Sequence, residues 1–143
     1  MSTSYYSGVV LGVKLKDIGF EIENISESYD MFDKKGKRTG EIGYDKSVKL
    51  TFNGRKREMP NLYSDVVEEL INIKHPLIFL DTSINMFDID NVIIGINLVN
   101  RSYDDWNILK ELKVENNINI VKNELKNQFG VDVEPKLYFY FSS

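Results

Sequence analysis

Residues 5–15 alternate in polarity. Tyr5, Val9, Leu11, Val13 and Leu15 share one face of an extended segment, and Tyr6, Gly8, Val10, Gly12 and Lys14 share the other. The two glycines leave a shallow floor where another backbone, a helix or a ligand can approach closely, packing against a helix being the ordinary case. Lys16-Asp17-Ile18-Gly19 reads as a turn. A second strand over 20–32 breaks its alternation: Phe20 and Ile22 are in phase, while Ile25, Tyr29 and Met31 are offset by one. That offset predicts a bulge near Glu23 and Asn24. After a polar loop over 33–40, residues 41–52 form a third strand. Its inward set is Ile42, Tyr44, Val48, Leu50 and Phe52, and its watered face is Glu41, Gly43, Asp45, Ser47, Lys49 and Thr51. Asn53-Gly54 is a two-residue hairpin signal, because a type I′ turn needs positive φ at both central positions. A short return strand over 55–59 stops at Pro60.

The second half changes period. Leu62, Val66, Leu70 and Ile73 recur at helical spacing over 61–73, with Ser64 or Asn61 as cap. A short apolar strand over 77–80 follows His75-Pro76, and 81–90 is a loop. Residues 91–99 are apolar on both faces except at Gly95 and Asn97, which places that strand centrally in a sheet. Asp104 or Ser102 caps a short helix through Trp106, Leu109 and Leu112, with Trp106 as a core anchor. Ile118, Val121, Leu125 and Phe129 form the stripe of a helix over 117–129 that Gly130 stops. The strand over 137–141 sets Leu137, Phe139 and Phe141 against Tyr138 and Tyr140. The sum is a single α+β domain over 1–143: a mainly antiparallel twisted sheet of about six strands with two to three helices on one side. No repeat or linker interrupts it.

Composition agrees with one soluble domain: 143 residues, 42% hydrophobic and 28% charged, enough to bury roughly two thirds of the unfolded surface. Without cysteine there is no disulfide, no thiolate nucleophile and no cysteine-held metal. Residues 1–7 lack the pattern of a signal peptide, and no apolar run approaches the ~20 residues that span a bilayer. A cytoplasmic protein is expected, in the host cytoplasm if the chain is viral.

Charge is what sharpens the functional reading. Residues 34–57 hold nine of the 18 lysines and arginines against two carboxylates, a net +7 in a chain whose total is −4, so all other residues together carry −11. A compact cationic stretch on an acidic body points to an anionic partner. The expected ligand-binding residues are Arg55 and Arg57, which project the same way from a strand and can each clamp an oxyanion in bidentate fashion, together with Lys34, Lys35, Lys37 and Arg38. A twelve-residue strand separates the two clusters by roughly 40 Å. They therefore form an extended track or two sites, one completed by a neighbouring subunit of a homo-oligomer, with the strand over 138–141 as its interface. The surrounding acidity disfavours duplex nucleic acid. Sequestration of a small anion such as a nucleotide is the leading expectation, and docking of the basic ribbon on an acidic protein surface is the alternative. The ordinary alternative is that these lysines only solubilise loop tips and strand edges.

No catalytic constellation or cofactor motif is present, so a non-enzymatic binding protein is expected. Asp88 and Asp90, with Asp81, are the lesser candidates for a hard cation and a metal-dependent hydrolase. They lack the glycine and distal glutamate of a calcium loop, and turn initiation is their default role. His75 is the single histidine, without a nucleophile elbow or oxyanion turn, and reads as a surface residue at a helix exit. Gly8 and Gly12 do not fit a phosphate-loop or dinucleotide fingerprint.

The opening Tyr5-Tyr6-Ser7-Gly8-Val9-Val10-Leu11-Gly12-Val13, the charged ribbon, Trp106 and the C-terminal helix–strand unit together resemble small uncharacterised proteins of tailed bacteriophages. The bias to 14 Asn and 15 Ile suits an AT-rich genome. The resemblance implies an accessory protein that inhibits host defence, either by sequestering a nucleotide signal or by blocking a host protein. No site residues are carried over from it.

Overall fold

The computed structural model describes residues 6–102 and 114–142. The expected short helix around Trp106 lies outside them. Among the described residues the chain is an α+β domain of seven strands and two α-helices: β1 (Tyr6–Lys14), β2 (Glu21–Phe32), β3 (Arg38–Phe52), β4 (Arg55–Met59), α1 (Ser64–Ile71), β5 (Ile78–Asp81), β6 (Val92–Ser102), α2 (Val114–Phe129) and β7 (Lys136–Ser142). All pairings are antiparallel. The strands divide into a four-stranded sheet in the order β5-β6-β1-β7 and a three-stranded sheet β2-β3-β4, where sequence reading pictured one sheet. The apolar 91–99 segment is central as expected, and the C-terminal strand lies at an edge.

Local chemistry sets the punctuation. Asn53 and Gly54 both take positive φ, 50° and 78°, and close the β3–β4 hairpin. Gly130, at φ 69°, ends α2 with its amide on the Lys126 carbonyl at 2.9 Å. Asn72 ends α1 in the same left-handed conformation. Tyr63 occupies the N-cap of α1 without a side-chain bond, so neither Ser64 nor Asn61 caps it.

The two glycines of β1 accommodate something other than a helix. The ring of Tyr140 lies over Gly8, and Gly12 faces Gly95 of β6 so closely that a Cβ on either would meet the main chain of the other strand. Gly95→Ala would drive its methyl into the Leu11 carbonyl, backbone that cannot step aside. We expect a loss of about 1–3 kcal/mol from this overpacking, read as a lowered urea midpoint.

One core joins the layers. Leu11 and Val13 of β1, with Val92 and Ile94 of β6, meet Val121 and Leu125 of α2, while Val67, Leu70 and Ile71 of α1 pack with Leu50 and Phe52 of β3. Phe52 lies 6.1 Å from Phe20 and 5.7 Å from Phe129 between ring centroids, so one aromatic cluster ties the small sheet to the segment after β1 and to the end of α2.

Candidate functional site

β4 pairs with β3 only along Val48–Phe52. Beyond that point β2 and β3 continue alone as a two-stranded arm, in unbroken register from Glu21↔Thr51 to Asp30↔Ile42. The bulge expected near Glu23 and Asn24 is absent. The irregularity sits further out, where Asp30↔Ile42 is followed by Phe32↔Arg38 and Gly40 takes φ 84°. The phase offset of Ile25 and Tyr29 therefore has another cause: the arm carries apolar side chains on both of its faces.

Its inner face continues the face of Leu50 and Phe52, and runs through Val48 to Tyr44 and Ile42. Ile42 and Tyr44 are not buried, contrary to the alternation-based expectation. They are 57% and 61% exposed, because the body of the domain ends near Val48 while the strands go on. Phe32, at 62%, Tyr29 and Met31 are also exposed. The Tyr29 ring covers Gly43 across the ribbon, and Thr39 Oγ1 donates to the Met31 carbonyl at 3.2 Å. Glu27 stands directly opposite Asp45, a like-charge pair that weakens a free ribbon. A hairpin of this kind is marginal by itself.

The tip is a built turn. Asp33 Oδ1 accepts from the amides of Lys35 and Lys37, at 2.9 and 2.8 Å, and Gly36 supplies φ 78°. Lys34, Lys35 and Lys37 are exposed on this turn. Arg38 is close by and held to Asp30 at 2.6 Å. Arg55 and Arg57 stand at the opposite end of β3, roughly 45 Å away along fifteen residues. Arg55 is exposed, and Arg57 reaches Glu69 of α1 at 3.3 Å. The fold thus gathers four of the six expected residues at one convex tip and leaves the other pair apart. Lys46 and Lys49 face opposite sides of the arm.

Two concavities among the described residues lie elsewhere. A cleft of about 390 Å³ is lined by Lys14, Leu15, Lys16, Phe20, Ile22, Ile89 and Asp90, and a shallower trough of about 320 Å³ by Glu21, Ile22, Glu23, Lys49 and Thr51. None of the six expected residues lines either one. In the cleft Lys14 is already engaged: Nζ donates to the Asp90 carbonyl at 2.7 Å and stands 5.0 Å from the centroid of the Tyr138 ring. Burial, and secondarily the negative charge of Asp17, push the Tyr138 phenol above its usual range.

Asp88 accepts from the Asp90 amide at 3.0 Å, and Asp81 from the Ser83 amide at 2.9 Å, so both carboxylates shape turns. Among the described residues no group of three or more acidic, histidine or cysteine side chains is placed to hold a metal ion. His75 is exposed beyond α1. No helix among the described residues is long and apolar enough to cross a membrane.

Sequence reasoning missed the apolar flank of the cationic tip. The signal available was length: twelve- and fifteen-residue strands beside a return strand of five leave a ribbon that the third strand cannot cover. No protein-family model, curated protein or solved structure matches the chain.

Proposed function

We propose that the chain is a non-enzymatic binding protein that docks its β2–β3 arm, cationic tip first, on an acidic protein surface. The observation that carries this reading is the pairing of Lys34, Lys35 and Lys37 on a built turn with large exposed apolar side chains, Phe32, Ile42 and Tyr44, on the ribbon behind it. Exposed apolar side chains next to a charged rim mark an interaction surface. A sequestered small anion needs a concavity that buries most of its surface, and the six cationic residues stand on a convex turn and a sheet edge. The protein-docking reading is favoured over nucleotide sequestration for that reason. With the resemblance to tailed-bacteriophage proteins, the partner becomes a host-defence protein met in the host cytoplasm.

The test is capture by the immobilised chain from a bacterial lysate. A bound protein should be released as salt rises from about 0.05 M to about 0.5 M, since exposed charges are screened over that range. The triple variant Lys34→Glu, Lys35→Glu, Lys37→Glu should fail to capture it, and a nucleotide panel should leave the melting temperature unchanged. Stabilisation of order 3 kcal/mol by a nucleotide at a hundredfold excess over its Kd would replace this reading with sequestration.

A further inference from the structure

The inner face of the arm is half of an unfinished layer. At its root, α1 covers it through Val67, Leu70 and Ile71. From Val48 outward nothing among the described residues covers Tyr44, which stands opposite Ser28, and Ile42, which stands opposite Asp30; Lys46, opposite Ser26, shares this face between Val48 and Tyr44. The two ends of this face differ in charge. The tip carries Lys34, Lys35, Lys37 and Arg38. The exposed side of α1 carries Asp65, Glu68 and Glu69, spaced as one helical stripe, and of these three only Glu69 has a cationic partner among the described residues, Arg57.

We propose that a second copy of this chain completes the layer: two arms stack antiparallel, inner face on inner face, about a twofold axis, and each tip lies beside α1 of the other copy. The proposal rests on the reading of the arm as the working element, and it names the acidic surface closest to hand. Twofold symmetry makes every contact occur twice. The free part of β3, from Arg38 to Ser47, is about 33 Å long. In an antiparallel stack the tip of one arm therefore arrives over the root of the other, where α1 begins. Stacked sheets lie about 10 Å apart, so the second arm occupies the layer that α1 fills at the root. Ile42 and Tyr44 meet across the middle of the stack, and opposite charges meet at its ends.

Pairing of two β2 edges is one competing arrangement, beside the β7 edge expected from the sequence, and charge opposes it. β2 carries Glu21, Glu23, Glu27 and Asp30 and no basic residue, so its own copy brings like charge to like. The stacked face is small, about 330 Å² on each arm and so about 660 Å² in all, below the roughly 1,000 Å² that a stable interface clears. The dimer is accordingly weak and salt-sensitive, and an acidic partner protein can displace it by competing for the tip.

Sedimentation equilibrium of the full chain over a concentration series tests this. Self-association should weaken as salt rises. Lys34→Glu, Lys35→Glu, Lys37→Glu should weaken it by about tenfold or more, as should Asp65→Lys, Glu68→Lys. The chain carrying both sets should regain it, since each reversed tip then meets a reversed helix. Ile42→Ser, Tyr44→Ser should abolish it. Unchanged melting temperatures of the monomers establish that all variants fold. A chain that stays monomeric at about 0.5 mM in low salt, or a dimer that ignores the charge reversals, or a combined variant that does not recover, overturns the dimer. If in those cases the tip variant still loses lysate capture, the docking function stands without it; if capture is also unaffected, both fall.

Discussion

Phe52→Ala is expected to lower the stability of the domain by about 3–5 kcal/mol, the usual cost of emptying a buried aromatic site. Phe52 is 4% exposed and touches the rings of Phe20 and Phe129, so its loss loosens the small sheet from the turn after β1 and from the end of α2 together. Against a total stability of about 5–15 kcal/mol, this is enough to unfold a large share of molecules on modest warming. Tyr44→Ala is the control, because Tyr44 lies on the same strand and the same face. In dilute solution it should change stability by no more than about 0.5 kcal/mol, since its side chain is 61% exposed. Urea denaturation of both variants decides the matter. Equal losses would mean that the outer part of β3 is packed within one protomer, which would remove the arm as a free element.

The contrast between these two residues shows where sequence reading reaches and where it stops. Alternation assigns Ile42, Tyr44, Val48, Leu50 and Phe52 to one face correctly, because strand geometry has period two. It carries no information on how far the body extends beneath that face. That limit depends on where α1 and β4 end, and so on contacts between distant parts of the chain. Local signals with a conformational mechanism read well: Asn53-Gly54 at the hairpin, Gly130 after α2, and the two-sided apolar run of β6 at the centre of its sheet. Signals that depend on partners read poorly. Gly8 and Gly12 announced a close approach, but its agents, Tyr140 and Gly95, come from strands far along the chain. The same holds for charge. The clustering of Lys34, Lys35, Lys37 and Arg38, and their distance from Arg55 and Arg57, follow from strand length alone. The pairing of Arg38 with Asp30 depends on hairpin register, and that of Arg57 with Glu69 on how α1 docks.

Removing the outer arm should separate binding from folding more cleanly than any point substitution. Ile25 and Ser47 are direct cross-strand partners, and alternation from the Phe52–Arg55 pair that flanks the Asn53-Gly54 turn makes theirs a hydrogen-bonded pair, the kind a two-residue turn closes. Residues 26–46 can therefore be replaced by Asn-Gly in the existing register. The excised segment contains neither a member of the main buried cluster nor a residue that packs against it. It also includes the Glu27–Asp45 pair, whose removal relieves a cross-strand repulsion. The shortened chain is expected to keep its stability to within about 1 kcal/mol, read by thermal and urea unfolding, while losing salt-sensitive protein capture entirely. Closing the hairpin one hydrogen-bonded pair further in, at Glu23 and Lys49, should cost more, because it removes Val48, which packs against the core. A shortened chain that folds and still captures its partner would place the binding surface on the body. One that fails to fold cooperatively would show that the ribbon is structural, and that its exposed tyrosines, isoleucine and phenylalanine serve the domain itself.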